Sequence, residues 1–85
     1  MPSTSLESAR RVRLFNPATA NHSLLLQGAA CRRIRVASAG DLTIRLIDDV
    51  AAQTITGLVV GEILDVQATA TLAAGSTVTA IEVFY

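Results

Sequence analysis

The chain has 85 residues, 51% apolar and only 16% charged, which leaves room for one hydrophobic core and less charge than the roughly 25% of ordinary soluble domains. Cys31 and His22 are its single cysteine and histidine, so an intrachain disulfide and a four-ligand Cys/His zinc site are excluded. No apolar run approaches the roughly 18 residues that cross a bilayer, and residues 1–13 lack an apolar signal-peptide core, which predicts a soluble protein not exported by its own sequence.

A domain of this size buries only about 60% of the surface its unfolded chain exposes. With disulfide and metal removed, a partner subunit is the remaining stabiliser. Net charge is zero but segregated: through Arg45 the chain carries +5, and from Leu46 onward −5. One part of the chain can therefore attract the other part in a neighbouring copy. All seven basic residues are arginine, the side chain best suited to ion pairs at interfaces.

Residues 1–10 combine Pro2 with several Ser and Thr and no apolar period, and read as an N-terminal arm that is flexible or ordered on a partner. Residues 11–85 read as one domain. The alternating run from Arg11 to Phe15 predicts a strand stopped by the turn Asn16-Pro17-Ala18. Ser23 to Gln27, ended by Gly28, predicts a second, and Cys31 to Val36 a third with Ile34 and Val36 on one face and Arg33 and Arg35 on the other. After the turn Ser38-Ala39-Gly40-Asp41, Leu42, Ile44 and Leu46 share a face of the clearest strand. Thr54 to Val60, broken by Gly57, and Ile63 to Thr71 are the next two. Val66 to Ala74 is the one stretch that also tolerates a helix, against which Thr69 and Thr71 weigh. The last strand runs from Thr77 to Tyr85. About seven short strands at this spacing predict an all-β fold, a small antiparallel β-sandwich or β-barrel.

Catalytic chemistry finds little support. His22, the one ordinary neutral-pH base, lies between Asn21 and Ser23 just before a run of leucines and reads as a surface or strand-end side chain without a role. Cys31 has Arg32 and Arg33 as neighbours, yet reads as a small buried side chain. Asp48 and Asp49 start a loop and read as a solvated turn, since even on a strand adjacent residues would point apart and no further carboxylate is near, and the glycines are too dispersed to cradle a phosphate. No catalytic, cofactor or metal residue is expected. Zero net charge, absent lysine and 4% aromatics argue against nucleic acid, and the same scarcity of aromatics argues against a glycan-binding module. The constellation with content is a protein interface formed by Arg10, Arg11, Arg13, Arg33, Arg35 and Arg45, joined by the aromatic pair Phe84 and Tyr85, whose other reading is that they close the domain's own core.

The phrases Val12-Arg13-Leu14-Phe15-Asn16-Pro17-Ala18-Thr19, Ile34-Arg35-Val36 with Gly40-Asp41-Leu42-Thr43, Gly57-Leu58-Val59-Val60-Gly61-Glu62-Ile63-Leu64 and Thr79-Ala80-Ile81-Glu82-Val83-Phe84-Tyr85 resemble small tailed-phage virion proteins, nearest to the head-spike base proteins of gene transfer agents and related phages. The resemblance spans residues 11–85 through cadence and short phrases. It implies a non-enzymatic β-sandwich or β-barrel subunit in a virion assembled in the bacterial cytoplasm. There it would form a symmetric homo-trimer or homo-pentamer on the major capsid protein, as a decoration (cement) protein or the base of a spike or fibre. A tail or neck component and a receptor-binding module are the alternatives.

Overall fold

The structure, a computed structural model, describes residues 11–85; the expected arm, and Arg10 with it, lie outside them. Eight strands follow in order: β1 (Val12–Phe15), β2 (His22–Ser23), β3 (Arg33–Val36), β4 (Gly40–Leu46), β5 (Gln53–Leu58), β6 (Ile63–Leu64), β7 (Ala68–Leu72) and β8 (Ile81–Phe84). They form two four-stranded antiparallel sheets, one ordered β1-β8-β3-β6 and the other β2-β7-β4-β5. Of the seven connections, the β4–β5 hairpin alone stays within a sheet, while the others cross between the two. This order is that of a jelly roll, the two-sheet arrangement built from two Greek keys.

Alternation explains the packing. Ile34 and Val36 on β3, Ile81 and Val83 on β8 and Leu42 and Ile44 on β4 are all essentially inaccessible, and they meet between the sheets with Leu24, Leu58, Ala68 and Val78. Burying one such Val, Ile or Leu side chain stabilises the fold by about 1.5–3 kcal/mol. The arginines that alternate with them on β3 face outward, as the spacing requires.

The number of strands exceeds the expected seven because the run Ile63 to Thr71 divides into β6 and β7, in different sheets. Asp65, Val66 and Gln67 make the crossing, and the Gln67 carbonyl accepts from the Ile47 amide at 2.8 Å. The tolerated helix at 66–74 is therefore strand and turn. The final strand begins at Ile81, not Thr77: the amides of Thr77 and Val78 both donate to the Asp41 carbonyl, at 2.9 and 3.0 Å, and that of Thr79 to the Ser38 hydroxyl at 2.8 Å. These bonds strap residues 77–79 across the sandwich end and take their backbone out of any ladder. The expected strand over 23–27 is shorter too, because Leu26 and Ala29 exchange two backbone hydrogen bonds around Gln27 and Gly28. Both central residues have positive φ, 52° and 82°, the signature of a type I′ hairpin turn.

Gly40 is required by backbone conformation and by close packing together. Its φ is 144°, and a Cβ there would lie 2.5 Å from the Thr77 hydroxyl and 3.1 Å from the Val78 nitrogen, whereas a Cβ at Gly28 meets nothing within 4 Å. Gly28→Ala is expected to cost about 1 kcal/mol through backbone strain alone, and Gly40→Ala distinctly more. Equilibrium urea unfolding of the two variants checks the order.

Candidate protein-interaction faces

The register lays out the outer face of the β1-β8-β3-β6 sheet. Leu14, Glu82, Arg35 and Ile63 fall in one row across its four strands, and Val12, Phe84 and Arg33 in the next. Arg35 donates through Nη1 to Oε1 of Glu82 at 2.8 Å, and the Nε of Arg33 is ion-paired with Asp65. These side chains are about one-third to three-quarters exposed, so each pair contributes at most about 1 kcal/mol. Their main effect is to fix where charge sits on an otherwise apolar face. Leu14 is 73% exposed at one margin of that face and Ile63 51% at the other, while Phe84 in its middle is nearly buried.

The remaining candidate arginines are dispersed. Arg13 alternates with Val12 and Leu14 and lies on the inner side, its guanidinium 4.8 Å from the centre of the Phe15 ring. A cation over a ring face at this distance is attractive by about 0.5–2 kcal/mol. Phe15 in turn packs at 5.0 Å on His22, whose Nε2 lies 2.9 Å from the Asn16 carbonyl. His22 thus ties the turn after β1 to β2. Arg11 is exposed and, with Leu26, Gln27 and Tyr85, borders a small cavity of about 250 Å³. Arg45, also exposed, stands on the outer face of the other sheet beside a shallow depression shared with Asn21, His22 and Thr69.

Phe84 and Tyr85 are buried in their own chain, at 4% and 9% exposure. The Tyr85 hydroxyl has no hydrogen bond of good geometry among the described residues. Burial raises its pKa, and the nearby Arg13 guanidinium opposes the shift. Cys31 is fully buried, its Sγ accepting from the Ala68 amide at 3.4 Å and facing the Val66 carbonyl at 3.6 Å. Desolvation pushes its thiol above the ordinary value of 9.0, and the backbone hydrogen bonds offset this in part. Such a thiol is protonated and inert at neutral pH. Among the described residues no group of three or more His, Cys, Asp or Glu side chains converges as a metal site would require.

The exposed apolar residues were missed as site candidates. Their signal in the sequence was the pair Val59-Val60, at the end of a predicted strand before Gly61, and Ile47 with Val50, which flank Asp48 and Asp49.

No protein-family model matches the sequence, and no curated protein matches it. A solved structure does: the chain is similar to a component of a particle described as "Capsid of native GTA particle computed with C5 symmetry", at 26% identity, with a TM-score of 0.66, over 96% of this chain and 90% of that one. GTA denotes a gene transfer agent, a phage-like particle. The likeness extends over both sheets, because so little of either chain is left out.

Raised folded-state values for Cys31 and Tyr85 mean that the native state holds those protons more tightly than the unfolded chain. Their contribution is complete below the unfolded values and is lost as pH rises through the folded ones. Thermal stability is expected to fall as pH rises past the ordinary values of the Cys31 thiol, 9.0, and the Tyr85 phenol, 10.0. Cys31→Ala, whatever its absolute cost, is expected to flatten the part of the decline that begins near 9.0. Melting curves across the pH series measure both slopes.

Proposed function

We propose that the chain is a non-enzymatic structural subunit of a phage-type virion, carried on the capsid as a symmetric homo-oligomer of three or five copies. The proposed role is that of a decoration protein or the base of a head spike, with the major capsid protein as its support and a spike or fibre protein as a further partner. One observation carries the reading: a complete jelly roll, without an extra domain among the described residues, matches a component of a gene transfer agent capsid over nearly the full length of both chains. Jelly rolls suit this use because both sheets are covered by each other and their loops gather at two ends, leaving faces free for lateral and basal contacts.

The chemistry of the chain agrees. Its one histidine is engaged with the Asn16 carbonyl, its one cysteine is buried, and its carboxylates at positions 65 and 82 are paired with arginine. A shell repeats one surface many times, so a small subunit needs only weak contact per copy, and several linked copies supply the rest. The outer face bearing Arg33 and Arg35 is the proposed contact with that shell.

A tagged copy of the chain, expressed where the particles are produced, is expected to co-sediment with nuclease-resistant particles at a fixed ratio to the major capsid protein. A chain that remains with free proteins in the gradient overturns the reading. Replacing Arg33 and Arg35 by Ala is expected to lower particle binding while changing stability by no more than about 2 kcal/mol, two exposed ion pairs in all. Undiminished, salt-insensitive binding removes these arginines from the contact.

A further inference from the structure

The exposed large apolar side chains are confined to the two lateral margins of the sandwich. On one margin stand Val12 and Leu14 of edge strand β1, and Leu25 just past edge strand β2. On the opposite margin stand Ile47 and Val50 in the turn entering edge strand β5, Val59 and Val60 between β5 and β6, and Ile63 on edge strand β6. Among the described residues the four inner strands, β8, β3, β7 and β4, expose none. Scattered apolar residues on a surface are ordinary, but their sorting to two opposite margins is the pattern of contact surfaces.

On the margins themselves charge is sorted along the same axis, while the exposed Arg45 stands on inner strand β4. With Arg33 and Arg35 paired, the β1 margin keeps Arg11, and the β5/β6 margin keeps Asp48, Asp49 and Glu62, none of them in an ion pair among the described residues. Arg11 and the two aspartates also lie at the same end of the strands. The Arg11 carbonyl accepts from the Tyr85 amide beyond β8, while Asp48 and Asp49 follow Leu46 at the end of β4 whose partner is Ala68; Ala68 and Phe84 are tied to that end by bonds from the amides of Cys31 and Arg32. Edge strand β5 contains no charged residue and no proline over its 6 residues, so nothing on it repels an approaching partner.

We propose that copies of this chain join side to side and head to tail, the β1/β2 margin of one against the β5/β6 margin of the next. The exposed valines, leucines and isoleucines lie inside the contact, and Arg11 faces the aspartates of the neighbour. The proposal rests on the reading of the chain as an oligomeric subunit and specifies its contact. Two β1 margins face to face would oppose arginines, and two β5/β6 margins would oppose carboxylates, so a two-fold pairing of like margins is disfavoured by charge. Unlike margins with their charges at the same level repeat by rotation about an axis along the strands, an arrangement that closes a ring when the rotation divides a full turn.

The test is the solution mass of the purified full chain, by light scattering after size exclusion, for four proteins: the natural sequence, Arg11→Glu, Asp48→Arg, and the chain carrying both. The natural chain is expected to be a closed oligomer that high salt weakens. Each single reversal is expected to weaken assembly by about tenfold, corresponding to the effect of opposing like charges at a contact, and the combined chain to recover most of the loss. Leu14→Asn, at a site already exposed in the single chain, is expected to dissociate the oligomer with its circular dichroism spectrum unchanged. A monomeric natural chain overturns the contact, while particle co-sedimentation still decides the virion reading separately. An oligomer indifferent to both reversals and to Leu14→Asn, or one not rescued by the combined chain, overturns the head-to-tail arrangement and leaves the oligomeric reading standing.

Discussion

The pairing of β8 with both β1 and β3 is the contact on which the rest of the molecule depends. Ile81 and Val83 sit opposite Phe15 and Arg13 on one side and opposite Val36 and Ile34 on the other. The strand that joins first and third sheet members is the last of the eight in the chain. Its inward residues fill the core, and its outward residues, Glu82 and Phe84, fix the charge and the apolar centre of the outer face. Removing β8 would leave β1 without a sheet, and with it one of the two margins.

A second constraint is scarcity. Few charged residues serve a small molecule with two faces and four sheet edges, and the structure uses them locally. Arg33 and Arg35 are held by Asp65 and Glu82 on one face, Arg13 is turned over the Phe15 ring, and Asp41 binds the Gly57 amide at the β4–β5 edge. Hydroxyls replace charge elsewhere. Thr43 and Thr54 bond each other at 2.8 Å across that edge, and the Ser76 hydroxyl accepts from the Thr43 amide at 2.9 Å while donating to the Leu72 carbonyl at 2.6 Å. Neutral stitching of this kind holds the end of the sandwich without adding repulsion between copies.

Period-2 alternation made much of this legible in the sequence. It placed Ile34, Val36, Leu42 and Ile44 inward and Arg33 and Arg35 outward, and it aligned Ile81, Val83 and Tyr85 along one side, as observed. It failed where the chain changes sheet without a glycine or proline to mark the change, at Asp65 to Gln67. Alternation was also ambiguous on β1, where Val12 and Leu14 compete with Arg13 and Phe15 for the core. The ring contact of Phe15 with His22 and its pairing with Ile81 turn the second pair inward, a choice made by neighbours about 7 and about 66 residues away and invisible to a local pattern. The arginines were legible as a set, but which of them are paired within the chain depends on register between strands distant in sequence.

Connections that cross between sheets have a consequence for the order of events during synthesis. The hairpin β4–β5 can form as soon as it leaves the ribosome, since its two strands are adjacent and local pairing is fast. Strand β1, made first, has no sheet partner until β8 emerges. The acidic, apolar margin around β5 therefore takes shape early, and the margin that would receive it becomes a structured edge only once β8 has been made. A growing chain lacks the second half of its own contact, which delays association between nascent copies until β8 of each has paired with β1.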